Sequence, residues 1–411
     1  MPLLGNAGSP RLRHVASAPR GWRVLALATL QQAGLTSIRF GLPILAPFWR
    51  DALHLSLAQV GVLLGAFDLG AMLLFIPLGV VADRWGEPAV LAGGAVFTAA
   101  VAALAVLAHG FWPLALLLAA AGLGYGSGQT AGNQVVSEVF TAAGRGIAMG
   151  IRQAGLPIGG MFAATIVPPV ATLFGWPAAV GSIAVACAVP GLLCWVGLRD
   201  VAEGGGAVPP ARALARRVWG LLYTPGIWRT TWVAMLLVIA QFCYQDYLAF
   251  YMVDRFGWSK HAATGLLIVV NLGGVLGRLA WGALSDRRYG GRRVPALAWC
   301  VGVGAVFPAL LLALPAPAAA PEMTAIALAG GVLLLGWNGL YSTLITELAG
   351  RTLGATAMGV SMTALYVSTM LSPPLFGWLV DTTSYTVGWA TLIGVTGLAL
   401  VGVRGIPEPT A

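Results

Sequence analysis

Five charged side chains interrupt long apolar stretches of this chain: Arg39, Asp68, Arg152, Asp246 and Arg278. A charge placed in lipid costs about 2.5–3.5 kcal/mol on insertion scales, so it normally faces a partner or a polar cavity. Three arginines against two aspartates leave a positive interior, a field that favours an anion and disfavours a cation. A guanidinium suits a carboxylate in particular, because its planar fork meets both carboxylate oxygens. An aspartate at such depth can carry a proton or make a structural hydrogen bond. Asp68 and Asp246 are therefore the candidates for proton coupling.

Neutral polar residues fall in register with these charges. Gln32 precedes Arg39 by seven residues and Asn271 precedes Arg278 by seven, so each pair shares a helical face. Gln129 and Asn133 are spaced i, i+4, as are Asn338 and Ser342, while Gln241, Tyr244 and Gln245 lead up to Asp246. Such residues can line a cavity or hydrogen-bond between helices. Arg152 follows Arg145 by seven residues, about 10 Å along a helix. It points away from the small-residue stripe of Gly146, Gly150 and Ala154. It therefore meets water, a substrate, a carboxylate or a structural partner, while the stripe packs closely on a neighbour. Arg39 can contact a substrate or reach to the outer headgroups. Asp246 can pair with Arg39 in an outer gate or lie in the headgroup region.

The elements that must position these residues are membrane helices. Of the 411 residues, 58% are hydrophobic and 9% charged, and the mean hydropathy is +0.84. A soluble domain usually carries about 25% charged residues. In lipid only helices or closed barrels satisfy their own backbone. A barrel would show strands of about ten residues with alternating polarity; the apolar runs here are about twenty residues long, the spanning length of a helix. The fold class is an all-α membrane protein. Twelve spans are expected near 22–48, 58–82, 88–108, 112–137, 146–172, 176–197, 227–252, 261–284, 294–315, 322–346, 355–380 and 386–404. The first run, from Val24, is too long for a signal-peptide core. Cys187, Cys194, Cys243 and Cys300 lie inside apolar runs without a CxxC pair and read as buried small hydrophobes.

The basic residues divide by loop. The N-terminal tail and alternate loops hold Arg11, Arg13, Arg20, Arg84, Arg145, the 199–229 group, Arg287, Arg288, Arg292, Arg293 and Arg351, whereas the opposite loops hold Arg50, Arg255 and Lys260. The positive-inside rule then places both termini in the cytoplasm of a plasma-membrane protein. The high isoelectric point, about 9.9, is a topology signal and does not imply nucleic acid. A Gly-, Pro- and Arg-rich connection over 199–225 reads as a cytoplasmic linker between a half at 1–198 and a half at 226–411. The halves overlay. At an offset of 203, Ser56 falls on Ser259, Asp68-Leu-Gly70 on Asn271-Leu-Gly273, and Asp83-Arg84 on Asp286-Arg287. At 209, Gln129 and Asn133 fall on Asn338 and Ser342, and Glu138 on Glu347. Parallel repeats of six spans place a binding site between them near the midplane.

Two loops carry a resemblance. Gly79-Val-Val-Ala-Asp83-Arg84-Trp-Gly86 and Gly282-Ala-Leu-Ser285-Asp286-Arg287-Arg-Tyr-Gly290-Gly-Arg292-Arg293 resemble the G-x-x-x-D-R-x-G-R-R loop of the major facilitator superfamily. With the repeat, span count and linker, the resemblance covers nearly the whole chain. It implies that Asp83, Arg84, Asp286 and Arg287 belong to charge networks made and broken as the halves rock. Glu87-Pro88 stands where the first loop usually has basic residues, a departure that implies a weaker network in that half or one with other partners. Arg39-Phe-Gly-Leu-Pro-Ile-Leu-Ala-Pro47 is similar to the first span of the organic-anion branch, and Gly277-Arg278-Leu-Ala-Trp-Gly282 to the eighth span of monocarboxylate and oxalate–formate carriers. There the arginine contacts an anionic substrate.

The expected function is transport of a small organic anion by alternating access, coupled to protons. Arg39, Arg152, Arg278, Gln32, Gln129, Asn133, Gln241, Tyr244, Asn271 and Asn338 form the substrate-binding set. No cofactor is implied, and one chain holding both halves is expected to act as a monomer. Two other readings stay open: a proton-coupled exporter of amphipathic compounds, for which Gly155-Leu-Pro157 in span 5 gives a loose exporter-like motif, and a transport-fold sensor without flux. No nucleotide loop, nucleophile elbow or His–Glu metal motif points to an enzyme.

Overall fold

The computed structural model describes residues 18–140, 142–200, 220, 224–313 and 320–408. Most of the 199–225 linker and the arginines of the N-terminal tail before residue 18 lie outside the described residues, as do the side chains of Asp83, Arg84, Glu138, Arg145 and Arg351.

Among the described residues twelve α-helices follow one another: α1 Ala18–Leu53, α2 Leu57–Trp85, α3 Glu87–Leu104, α4 Phe111–Val139, α5 Ala142–Phe174, α6 Trp176–Gly197, α7 Pro225–Phe256, α8 Lys260–Tyr289, α9 Arg293–Leu312, α10 Ala320–Leu334, α11 Asn338–Thr382 and α12 Tyr385–Val403. Among the described residues ten stretches are long and apolar enough to cross a membrane. Helix α1 and the later part of α11 are not among them, and both have polar residues turned inward. Gln31, Gln32, Thr36, Ser37 and Arg39 on α1 are buried, as are Ser361, Ser368, Thr369 and Ser372 on α11. A helix polar on its buried face has its interior, not lipid, as partner.

The sequence repeat has a physical counterpart. Ser56 and Ser259 each cap a helix, accepting from the backbone N–H of Gln59 at 3.2 Å and of Ala262 at 3.2 Å. Gln59 completes a capping box by accepting from the Ser56 N–H at 2.9 Å. Gly70 of α2 lies against the carbonyl of Ala119 on α4, and Gly122 returns the contact at Phe67; Gly273 of α8 likewise meets the carbonyl of Leu328 on α10, with Gly331 against Val270. A Cβ at any of these four would overlap the facing backbone, so glycine sets the helix spacing there.

The tenth span departs from expectation. It breaks at residues 335–337 instead of running unbroken over 322–346, and helical backbone then continues from Asn338 to Thr382. A broken helix frees carbonyls, which must find donors inside a membrane protein. Here Trp281 Nε1 donates to Val332 O at 3.1 Å, Trp337 Nε1 to Leu334 O at 2.9 Å and Asn338 Nδ2 to Leu335 O at 3.2 Å.

The first and last six helices are clasped at the face opposite the termini. Arg50 pairs with Asp254 at 2.7 Å, Lys260 with Asp51, and Asp381 accepts from the first N–H groups of α2, Leu57 at 3.1 Å and Ala58 at 2.7 Å. Tyr247 donates to Pro373 O at 2.6 Å, and its hydroxyl lies 3.1 Å from Leu57 O. Gly61 and Gly65 of α2 sit directly on the α11 backbone at Pro373 and Met370. On the face of the termini, the described ion pairs stay within one set of six. Arg23 holds Asp200 at 2.5 Å; Arg293 holds Asp286 at 2.6 Å and approaches Glu347 at 3.5 Å; Arg292 lies 3.7 Å from Glu408. The hydrogen bonds from Arg23 Nη2 keep the exposed Asp200 carboxyl below the usual range.

Candidate functional site

Under the clasp lies a buried charge cluster. Arg39 donates from Nε to Asp68 Oδ1 at 2.7 Å and from Nη2 to Asp68 Oδ2 at 2.8 Å. Its third nitrogen, Nη1, is 3.8 Å from Asp246 Oδ1 across the boundary between the two sets of helices. Phe242 covers the guanidinium, with the ring centre 4.7 Å from Cζ. Arg39 thus offers no free fork to a ligand in this conformation. Both oxygens of Asp246 are buried without a hydrogen-bond partner.

Deeper toward the termini, α1, α4 and α5 meet at Arg152. It donates to Asn133 Oδ1 at 2.7 Å, to Gln32 Oε1 at 3.0 Å and to the Gly128 carbonyl. All three acceptors are neutral, so its charge has no counter-ion among the described residues. Its Nε and the Gln32 Nε2 are buried donors without an acceptor.

Arg278 on α8 stands alone. No hydrogen bond or ion pair engages it among the described residues, and its Nε is buried and unpartnered. Its position follows from Asn271, seven residues earlier on the same face. Asn271 packs where α5 and α8 touch: a Cβ at Gly160 would lie 2.9 Å from Asn271 Oδ1 and 3.0 Å from Phe40 of α1. From that layer, eight residues back along α5 lead to Arg152 and seven onward along α8 lead to Arg278. Both lie about 10–12 Å nearer the termini. Gln32, eight residues before Phe40, falls in the same layer, as its bond to Arg152 requires.

The other expected residues divide. Asn338 donates to Gln241 Oε1 at 3.1 Å, and Gln241 to Gln245 at 3.3 Å, an amide chain joining α11 to α7. Gln129 is half-buried one turn before Asn133. Asn271 donates to its own helix at Leu267 O, at 2.8 Å. Tyr244 turns away from the others: it is fully buried, stacks edge-on against Phe307 of α9 at 5.2 Å and reaches toward Ala327 O of α10 at 3.5 Å. Asp286 is tied by Arg293 to Ser285 and Glu347, while Arg287 is exposed. Asp83 and Arg84 lie outside the described side chains.

Several participants escaped sequence reasoning. Phe242 reads as one more apolar residue, though it is the repeat counterpart of Arg39 at offset 203. Asp51 and Asp254 stand near the ends of α1 and α7, where spacing alone singles out neither. Their signal was the repeat: Arg50–Asp254 and Arg39–Asp246 both join α1 to its counterpart α7.

The family model for the Major Facilitator Superfamily matches residues 32–373. The chain belongs to the Major Facilitator Superfamily. It is 30% identical over 386 residues, covering 91% of this chain and 84% of the other, to an uncharacterised MFS-type transporter of Mycobacterium tuberculosis (strain ATCC 25618 / H37Rv). It is 26% identical over 258 residues, 61% of each chain, to the hexuronate transporter of Bacillus subtilis (strain 168). In fold it is similar to a bacterial homologue of the human lysosomal transporter Spinster, crystallised in an inward-facing and occupied conformation; the TM-score is 0.75 at 18% identity, covering 95% of this chain and 97% of that one. With ten stretches among the described residues long and apolar enough to cross a membrane, this family membership makes the protein an integral membrane transporter.

Proposed function

We propose that this transporter carries a small organic anion, a carboxylate, by alternating access coupled to protons. The observation that carries the reading is Arg278: a guanidinium in helical register with Asn271, which packs on α5, and with no carboxylate or acceptor of its own among the described residues. An unpaired cation in such a place is costly; an anionic substrate supplies what the protein withholds. One relative, a hexuronate transporter, is named for an organic acid, which supports the same reading.

In this account the clasp closes one face while the anion reaches Arg278 from the side of the termini, the cytoplasm. The amides of Gln32, Asn133, Gln241 and Asn338 hold its neutral oxygens. Asp246 carries the proton. Its carboxylate has no donor within hydrogen-bond reach, and Arg39 is already neutralised by Asp68, so the neutral acid is the form that fits. Movement of the halves then breaks the Arg50–Asp254 and Lys260–Asp51 bridges, while Asp286, Arg293 and Glu347 brace α8, α9 and α11. The carrier acts as a monomer in the plasma membrane.

The test is flux in proteoliposomes. Uptake of a radiolabelled organic acid should follow an imposed proton gradient, collapse with a protonophore and fall to background in Arg278→Gln. Flux indifferent both to the gradient and to Arg278 would reject the reading.

A further inference from the structure

The positive charges of the site do not balance within the protein, and the imbalance has a definite size. Among the described residues five charged groups lie at depth. Arg39, Asp68 and Asp246 form one cluster. Arg152 and Arg278 remain, one in each set of six helices, in one layer below it, and neither has a carboxylate partner. Of the two carboxylates in that cluster, Asp68 is held by Arg39, and Asp246, in the proton-coupled reading, carries the proton. Each of the two arginines also keeps an unused buried donor at Nε, and Gln32, bonded to Arg152, keeps another at Nε2. Orphaned donors of this kind call for acceptors that the protein itself does not supply.

We propose that the substrate is a dianion, an organic acid ionised at both ends, with one acid group on Arg278 and the second balanced by Arg152 through Gln32 and Asn133. This rests on the anion-carrier reading and deepens it. The argument is one of charge. When the site closes around its cargo, water is excluded and any uncompensated charge becomes expensive. A monoanion would leave one guanidinium unneutralised in the closed state; a dianion leaves none. Two separate guanidinium groups, one in each set of six helices, also match acid groups at opposite ends of a ligand better than a single carboxylate.

The experiment uses the purified full chain and ligand pairs of matched length: propionate against malonate, butyrate against succinate, and hexanoate against adipate. Affinity is read from ligand-dependent thermal stabilisation and from competition in proteoliposome uptake. At neutral pH, at least one dicarboxylate should bind about 10- to 100-fold more tightly than its monocarboxylate partner, the range expected for one extra charged hydrogen-bonded contact. Arg152→Gln should erase that preference while monocarboxylates still bind; Arg152→Lys, which keeps the charge, should retain most of it. A merely structural role for Arg152 would lower both affinities together. Equal affinity across every pair, or a preference untouched by Arg152→Gln, overturns the dianion assignment and leaves the anion carrier standing. Failure of every anion to bind overturns both. Should Arg152→Gln not fold, the wild-type pairs and Arg152→Lys still decide.

Discussion

Arg39 and Asp68 meet through two parallel hydrogen bonds of 2.7 and 2.8 Å, with both side chains about 2% exposed. They join α1 to α2 beneath the clasp, and the bidentate geometry fixes the guanidinium plane so that its remaining edge faces Asp246. Removing one member of a buried pair leaves the other as an uncompensated charge, at a cost of about 3–5 kcal/mol. Asp68→Asn should therefore lower the melting temperature of the purified protein sharply. The double variant Arg39→Gln with Asp68→Asn should recover much of that loss, because no charge is then stranded. If the two single losses simply add in the double variant, the pair is not an energetic unit.

Asp246 differs from Asp68 in a way that thermal and flux measurements can separate. Neither of its oxygens accepts a hydrogen bond, so Asp246→Asn strands no donor. The nearest charge is Arg39, which keeps Asp68; Cys243 and Tyr247 lie on the same helix α7. The variant should keep its stability to within about 1 kcal/mol. In proteoliposomes it should still exchange labelled for unlabelled substrate but lose the response to an imposed pH gradient. Gradient-driven uptake that survives in Asp246→Asn would assign the proton elsewhere.

The fold was legible because lipid permits so few solutions: apolar runs of spanning length, loop charges and a 203-residue self-overlay leave little else. The break after α10 was not, because the apolar run over 322–346 continues through it and the rescuing donors, Trp281 and Trp337, are one remote and one adjacent in sequence. The five buried charges were visible individually, since each stands out against its apolar surroundings. Their partners were not. Nothing in spacing alone says that Arg39 is held by Asp68, 29 residues away, while Arg278 has no partner among the described residues. That distinction depends on which helices touch and at what depth. Tyr244 shows the converse: its place beside Gln241 and Gln245 suggested a shared cavity, but a helix turns by about 100° per residue and its ring faces α9.

Closure at the face opposite the termini depends on backbone contact between α2 and α11. Gly61 and Gly65 admit no side chain there, since an added Cβ would overlap the carbonyls of Pro373 and Met370. Gly65→Leu should push the helices apart and disfavour this conformation without touching any charged residue. A cysteine pair at positions 50 and 254, in place of the ion-paired side chains, should crosslink readily on an otherwise unchanged background and much less with Gly65→Leu. The four native cysteines are free and buried, so they should contribute little. Undiminished crosslinking would mean that the glycines are not what lets the face close.

The break between α10 and α11 depends on an indole from another helix. Trp281 of α8 donates to Val332 O at 3.1 Å, a carbonyl set free where the helix ends at Leu334. Trp281→Phe keeps the aromatic packing but removes the N–H. An unpaired buried carbonyl costs about 1–3 kcal/mol, and the loss should appear as a lower melting temperature. Trp337→Phe strands the Leu334 carbonyl in the same way, and because Trp337 sits at the break itself, the two variants share one structural unit. Neighbouring substitutions in one network couple, so the double variant should lose less than the sum. Hydrogen exchange across 330–340 gives the local readout: both singles should speed exchange there while leaving α2 and α4 protected. Unaltered exchange at the break in Trp281→Phe would show that the span holds its broken form without the indole.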